Sequence, residues 1–142
     1  MTGQTRTLLA VAAAAVITFA GAPARAAGQA PATKLQPALH GEAQVAMTSP
    51  VVTREGKNIV TTLKVKNLSK QPLAGFKLEE FWYDAKGTIV NGDTFRYPKP
   101  LQPDEVIDVK LTDPSTGKEQ RNNYKFSHAN GTVKPTKVAK LP

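Results

Sequence analysis

His40 and His128 are the only imidazoles in the 142-residue chain, and there is no cysteine at all. That composition excludes thiol nucleophiles, disulfides, cysteine-ligated zinc, iron–sulfur centres and a lipid anchor on an N-terminal cysteine. His128 has Ser127 beside it and Ser115 not far before it, which is the raw material of a serine hydrolase. A working triad needs a nucleophile, a base and an orienting acid gathered by the fold. Neither serine carries the glycine-flanked elbow that presents such a nucleophile. His128 is therefore expected to cap a strand end beside the Asn130-Gly131 turn, and an atypical hydrolase is the least favoured reading.

Paired carboxylates are the other route to bond hydrolysis. Glu79 and Glu80 are neighbours in an extended run, so their side chains leave on opposite faces and cannot flank one substrate bond. Asp104 and Glu105 follow Pro103 and are expected to serve a turn. Glu80 falls in phase with Phe76, Leu78 and Trp82, where a carboxyl needs a partner or a retained proton; a bulge or a sheet edge is expected to carry it to water instead. Transition metals want clustered soft or imidazole ligands, and calcium wants a loop of converging oxygens; neither pattern occurs. No metal and no cofactor are expected, and no enzyme activity. A glycine-rich phosphate loop and a sustained amphipathic helix are also missing.

What remains is a surface. Phe81 and Tyr83 alternate with Trp82, so they point away from it, together with Lys77 and Glu79. Arg96 and Lys125, on neighbouring expected strands, complete a candidate binding face of Phe81, Tyr83, Arg96 and Lys125. Aromatic side chains beside cations anchor protein, peptide or glycan partners; cover by the tether or a loop is the alternative. The formal charge is +8, and the surplus of +6 left once Arg6 and Arg25 leave with the expected signal favours acidic partners. The lysines are scattered and form no basic arm, so nucleic acid is not an expected partner.

The elements that must hold these residues are strands. In Asn58–Asn67, Ile59, Thr61, Leu63 and Val65 fall on one face while Thr62, Lys64 and Lys66 take the other, the alternation of a half-buried strand. A second strand runs from Phe76 to Tyr83, turns through Asp84-Ala85-Lys86-Gly87, and returns from Thr88 towards Tyr97. Pro98, Pro100 and Pro103 cannot donate to a ladder and mark a crossing between sheets. Val106 to Leu111 alternates again, residues 113–121 form a polar loop, and Tyr124 shares a face with Phe126. Asn130-Gly131 signals a last hairpin towards Val138, with Pro135 marking that strand as an edge or a bent one. The pattern predicts an all-β, antiparallel β-sandwich of about seven strands, with a small closed barrel as the alternative.

Ahead of these strands lies a three-part export signal over residues 1–26. Arg6 supplies the basic start, Leu8 to Ala22 the apolar run, and Ala24-Arg25-Ala26 the small residues before cleavage at Ala27. The apolar run is short and alanine-rich for a bilayer span, so no stable membrane anchor is expected after processing. Residues 27–41 read as a flexible Ala/Pro/Gly linker and residues 42–142 as the folded domain. An exported small domain without cysteine fits a bacterial periplasm or cell surface.

Residues 60–112 resemble the FxLYD-type immunoglobulin-like domains of bacterial secreted and membrane-associated proteins. The likeness is carried by VKNLSKQPLAGFKLEEFWYDAKGTIV followed by LQPDEVIDVKL: a strand ending in Val65-Lys66-Asn67, a strand ending in Tyr83-Asp84, the Gly87 hairpin and the approach from Leu101 to Asp104. Of the naming motif, Tyr83 and Asp84 match; Trp82 stands in place of leucine and Glu80 in place of phenylalanine. The resemblance implies an immunoglobulin-like fold and an accessory or interaction role, with no family activity to carry over. Three readings follow: an exported interaction module that binds an envelope or cell-surface protein or glycan, an assembly component that lends an edge strand, and the atypical hydrolase.

Overall fold

The computed structural model describes residues 36–142, and these form eight β-strands with no helix among them. The expected export signal and most of the expected linker lie outside the described residues. No helix among the described residues is long and apolar enough to cross a membrane. The first extended stretch is split at Ser49-Pro50 into β1 (Ala43–Thr48) and β2 (Val51–Glu55). Proline has no N–H to give a ladder, and with this break the described residues hold eight strands where about seven are expected. The other strands are β3 (Asn58–Asn67), β4 (Lys77–Tyr83), β5 (Ile89–Arg96), β6 (Val106–Pro114), β7 (Arg121–His128) and β8 (Gly131–Val138).

Their order is β2-β3-β1-β8-β7-β4-β5, with β6 paired to β3. β6 runs along one edge of β3 from Asn58 to Lys66, so β2 and β1 share the other edge end to end. β8 joins the two halves. Its first residues close the hairpin with β7, at Ser127↔Thr132 and His128↔Gly131, and the strand then runs parallel to β1 from Ala43↔Val133 to Thr48↔Val138. The path curls so that the β6-β3-β1 half faces the β5-β4-β7 half across one interior. This is an immunoglobulin-like sandwich, and the proline-rich segment 98–103 is the crossing between its halves.

The interior is filled by the residues the alternation nominates. Leu63, Val65, Phe76, Leu78, Val109 and Phe126 gather in one apolar cluster with Leu73, Leu101 and Leu111. Phe76 and Phe126 pack tilted, with ring centroids 6.4 Å apart. The crossing loop is tied to the end of β3 by Asn67, which is fully buried. Its Nδ2 donates to the carbonyls of Gln71 and Leu101, at 3.0 Å each, and its Oδ1 accepts the Ser69 N–H at 2.8 Å. An amide in the interior costs little when its donors and acceptor are all met.

Both expected hairpins form. Gly87 takes φ +82°, and Asp84 Oδ1 accepts the N–H groups of Lys86 and Thr88 at 2.9 Å, an Asx turn between β4 and β5. In the β7–β8 hairpin the turn residues are Ala129-Asn130, one position earlier than the Asn130-Gly131 signal implies. Gly131 serves a different purpose there: a Cβ on it would land on the Gly41 carbonyl. The chain before β1 lies against this point. Leu39 N–H donates to the Pro72 carbonyl at 2.9 Å and Gly41 N–H to the Asn130 carbonyl at 3.0 Å.

Candidate functional site

β4 is the middle strand of its half, paired with β5 on one side and β7 on the other, so its alternate residues face the interior and the outer surface. Leu78, Glu80 and Trp82 are buried; Lys77, Glu79, Phe81 and Tyr83 stand half-buried on the outer face. Phe81 sits between Gly92 of β5 and Asn123 of β7. Gly92 has no side chain to lay over the ring. Tyr83 sits opposite Arg121, whose guanidinium lies 5.0 Å from the ring centroid, in cation–π range.

Lys125 stands opposite Glu79, and Glu79 bonds Lys77 at 3.1 Å. Arg96 stands opposite Lys77, four residues along β4 from Phe81, which is about 13 Å at strand rise. Phe81 thus has Tyr83 and Lys125 on its two sides, each two residues away along β4, and Arg96 marks the far end. On this face Arg121 is the cation that meets an aromatic ring, and the sequence alone puts it in the polar loop. The signal that finds it is the antiparallel register itself: once Lys125 pairs with Glu79, Arg121 must pair with Tyr83. A hollow of about 360 Å³ adjoins this end, lined by Asp84, Ala85, Lys86, Lys118 and Gln120. Gln120 N–H holds its rim by donating to the Tyr83 carbonyl at 2.9 Å.

A larger groove of about 740 Å³ lies on the outer face of the other half, between Val51, Lys64, Lys110 and the tail at Leu141. Lys64 Nζ reaches the Pro142 carbonyl there at 3.0 Å and Asp108 at 3.6 Å.

Behind Phe81, the interior turns polar. Glu80 is 1% exposed, so the expectation that a bulge or edge carries it to water is corrected. The ladder slips only between Trp82 and Tyr83, beyond Glu80, and β4 is a central strand. Its carboxyl is received by neighbours: Oε1 accepts the Thr61 hydroxyl at 2.9 Å and the Asn122 amide at 2.8 Å. Asp113, on β6 and fully buried, faces it from the other half. Burial and the nearby Glu80 carboxyl push Asp113 up to about 7. Burial and Glu80 also raise the Tyr124 phenol above its ordinary value.

The remaining polar candidates are occupied by structure. His128 is buried, with Nε2 at 2.8 Å from the Gly41 carbonyl. Ser115 donates to Glu119 Oε2 at 3.2 Å and accepts Arg54 at 2.9 Å. Glu119 also takes the N–H groups of Thr116 and Gly117, at 2.6 and 3.0 Å. Burial opposes its charge, but these bonds bring its carboxyl down to about 2. Glu105 accepts the Gln102 N–H and the Tyr97 hydroxyl, both at 2.7 Å, and bonds Lys99 at 3.2 Å. Asp104 takes φ +60° in the same turn, as the turn role of this acidic pair implies.

No family model matches the chain, and no curated protein matches it in sequence. Among solved structures it is similar to a DUF1425 family member from Shewanella sp. pv-4, with TM-score 0.44 and 13% identity over 60% of this chain and 78% of that one. It is similar also to IrmA from Escherichia coli, with TM-score 0.44 and 7% identity over 70% and 95%. A third likeness, to a penta-heme cytochrome c552 from Thermochromatium tepidum, has TM-score 0.42 and 16% identity over 58% of this chain and 31% of that one.

Proposed function

We propose that this chain is an exported, non-catalytic interaction module that binds a protein or other envelope component through the outer face of β5, β4 and β7. The observation that carries the reading is the pair Phe81 and Tyr83, half-exposed on a central strand with Arg121 over the Tyr83 ring and Lys125 two residues along from Phe81. Buried aromatic and arginine anchors dominate most protein interfaces. The net positive charge favours an acidic partner surface. The export signal and the FxLYD-type resemblance support the same role, as that of an accessory domain in a bacterial envelope.

The test is capture from envelope extract by the wild-type domain and by the double variant Phe81→Ala, Tyr83→Ala, with circular dichroism as the check on folding. We expect captured partner to fall at least about tenfold, since truncating one anchor costs more than about 1 kcal/mol. Equal capture by the folded variant ends the proposal for this face.

One observation favours a second reading, edge-strand addition. All five residues of β2 are exposed, with Val51 at 57% and Val52 at 44%, and its edge away from β3 pairs with nothing among the described residues. A free edge of this kind offers backbone groups to another chain's strand. A protein that stays monomeric and takes no envelope partner would end that reading.

A further inference from the structure

We infer that Glu80 and Asp113 hold one proton between them, and that this shared proton is a pH-operated latch joining the β4 half of the sandwich to the β6 half. The geometry calls for it. Two carboxyls, one from each half, are buried in the interior, 1% and 0% exposed, and near enough to act on one another. Glu80 Oε1 is taken by Thr61 and Asn122, while Glu80 Oε2 and both oxygens of Asp113 have no donor from any other side chain or backbone group. None of the ion pairs among the described residues involves either carboxyl. Two carboxylates in contact without a cation cannot both ionise, whereas one carboxylic O–H gives the missing donor.

Each strand packed around the pair keeps it that way. β3 offers Thr61, a neutral hydroxyl. β4 offers the Trp82 indole N–H, which lies beside Asp113 short of a full hydrogen bond. β5 offers Asp93, a further negative group whose Oδ2 accepts the Thr112 N–H at 2.8 Å. β7 offers Asn122 and the neutral Tyr124 phenol, joined at 2.6 Å. The surroundings supply donors for one anion and no positive charge for a second. When the proton leaves, two like charges stand across the joint and push the halves apart.

The sign follows from where the proton is held. Asp113 keeps it in the folded state at pH values where an unfolded aspartate has lost it. The latch is therefore fully closed below the unfolded value, near pH 4, and is lost as pH rises through about 7. It bears on β4 from behind, independently of what the outer face binds.

The experiment is chemical denaturation of the whole chain, at intervals from pH 4.5 to 8.5, for the wild type, Asp113→Asn and Glu80→Gln. Either amide supplies a permanent donor in place of the shared proton. We expect the wild-type unfolding constant to rise by up to about tenfold per pH unit below pH 7 and to level off above it, and each variant to lose that slope. Side-chain carboxyl carbon shifts of the folded wild type give a second readout that needs no variant: one carboxyl of the pair titrates near neutrality. Slopes equal in all three proteins, or both carboxyls titrating in the ordinary range near 4, would overturn the proposal.

Discussion

Glu119 shows how a single side chain organises a loop that has no secondary structure of its own. Four donors from Ser115, Thr116 and Gly117 converge on its two oxygens, and the loop between β6 and β7 has no other centre. Its depressed carboxyl makes it a stabiliser above its unfolded value that is lost as pH falls towards about 2. Glu119→Ala is expected to cost about 1–2 kcal/mol at neutral pH, after allowing for solvent at the loop. The check is urea denaturation at pH 7 and pH 3, with the gap between variant and wild type narrowing at the lower value. Sequence reading passes over Glu119 because two of its donors are backbone N–H groups, which every residue has, and the other two are hydroxyls of a loop without periodicity. Phe81 and Tyr83 were legible because alternation alone decides which way they point. Glu80 was legible as an anomaly and misread in its resolution, since its partners, Thr61, Asn122 and Asp113, come from three other strands. No local pattern brings those strands together.

At the level of strands and turns, alternation carried most of the architecture. β4 and β6 show their buried sets at every second residue, as β3 does from Thr61 onward, and the proline-rich crossing falls where prolines bar a ladder. The Gly87 turn follows the Asx rule directly. The β7–β8 hairpin obeys a different constraint from the one its Asn-Gly dipeptide advertises. Gly131 has no positive φ and is needed because the segment that precedes β1 passes against it at Gly41. Gly131→Ala is expected to destabilise the domain by about 1–3 kcal/mol, the cost of forcing backbone apart in a packed site. Thermal unfolding checks it, with Gly117→Ala as a contrast: Gly117 has positive φ but open space around a Cβ, so its penalty is conformational and about 1 kcal/mol. A larger loss at Gly117 would reverse the assignment of causes.

For the whole domain, these titrating groups pull in opposite directions. Glu119 and Glu105 have lowered values, so their contributions fade as pH drops below the usual carboxylate range. Asp113 has a raised value, so its contribution fades as pH climbs towards about 7. The melting temperature is expected to peak in mildly acidic solution, about pH 4–5, and to fall on both sides. A calorimetric series across pH 3–8 decides it, and a maximum at neutrality or above would contradict the balance of burial and bonding described here.

The parallel seam between β1 and β8 has a mechanical meaning. The polypeptide enters the seam at Ala43, beside Val133, and leaves it at Val138, beside Thr48. Tension applied to the two ends of the folded unit therefore drags these neighbours lengthwise past one another, and the bonds of the ladder bear the load together instead of opening one at a time. A domain tethered at one end and engaged by a partner at the other would resist being pulled apart along that line far better than if its outermost strands peeled like a zip.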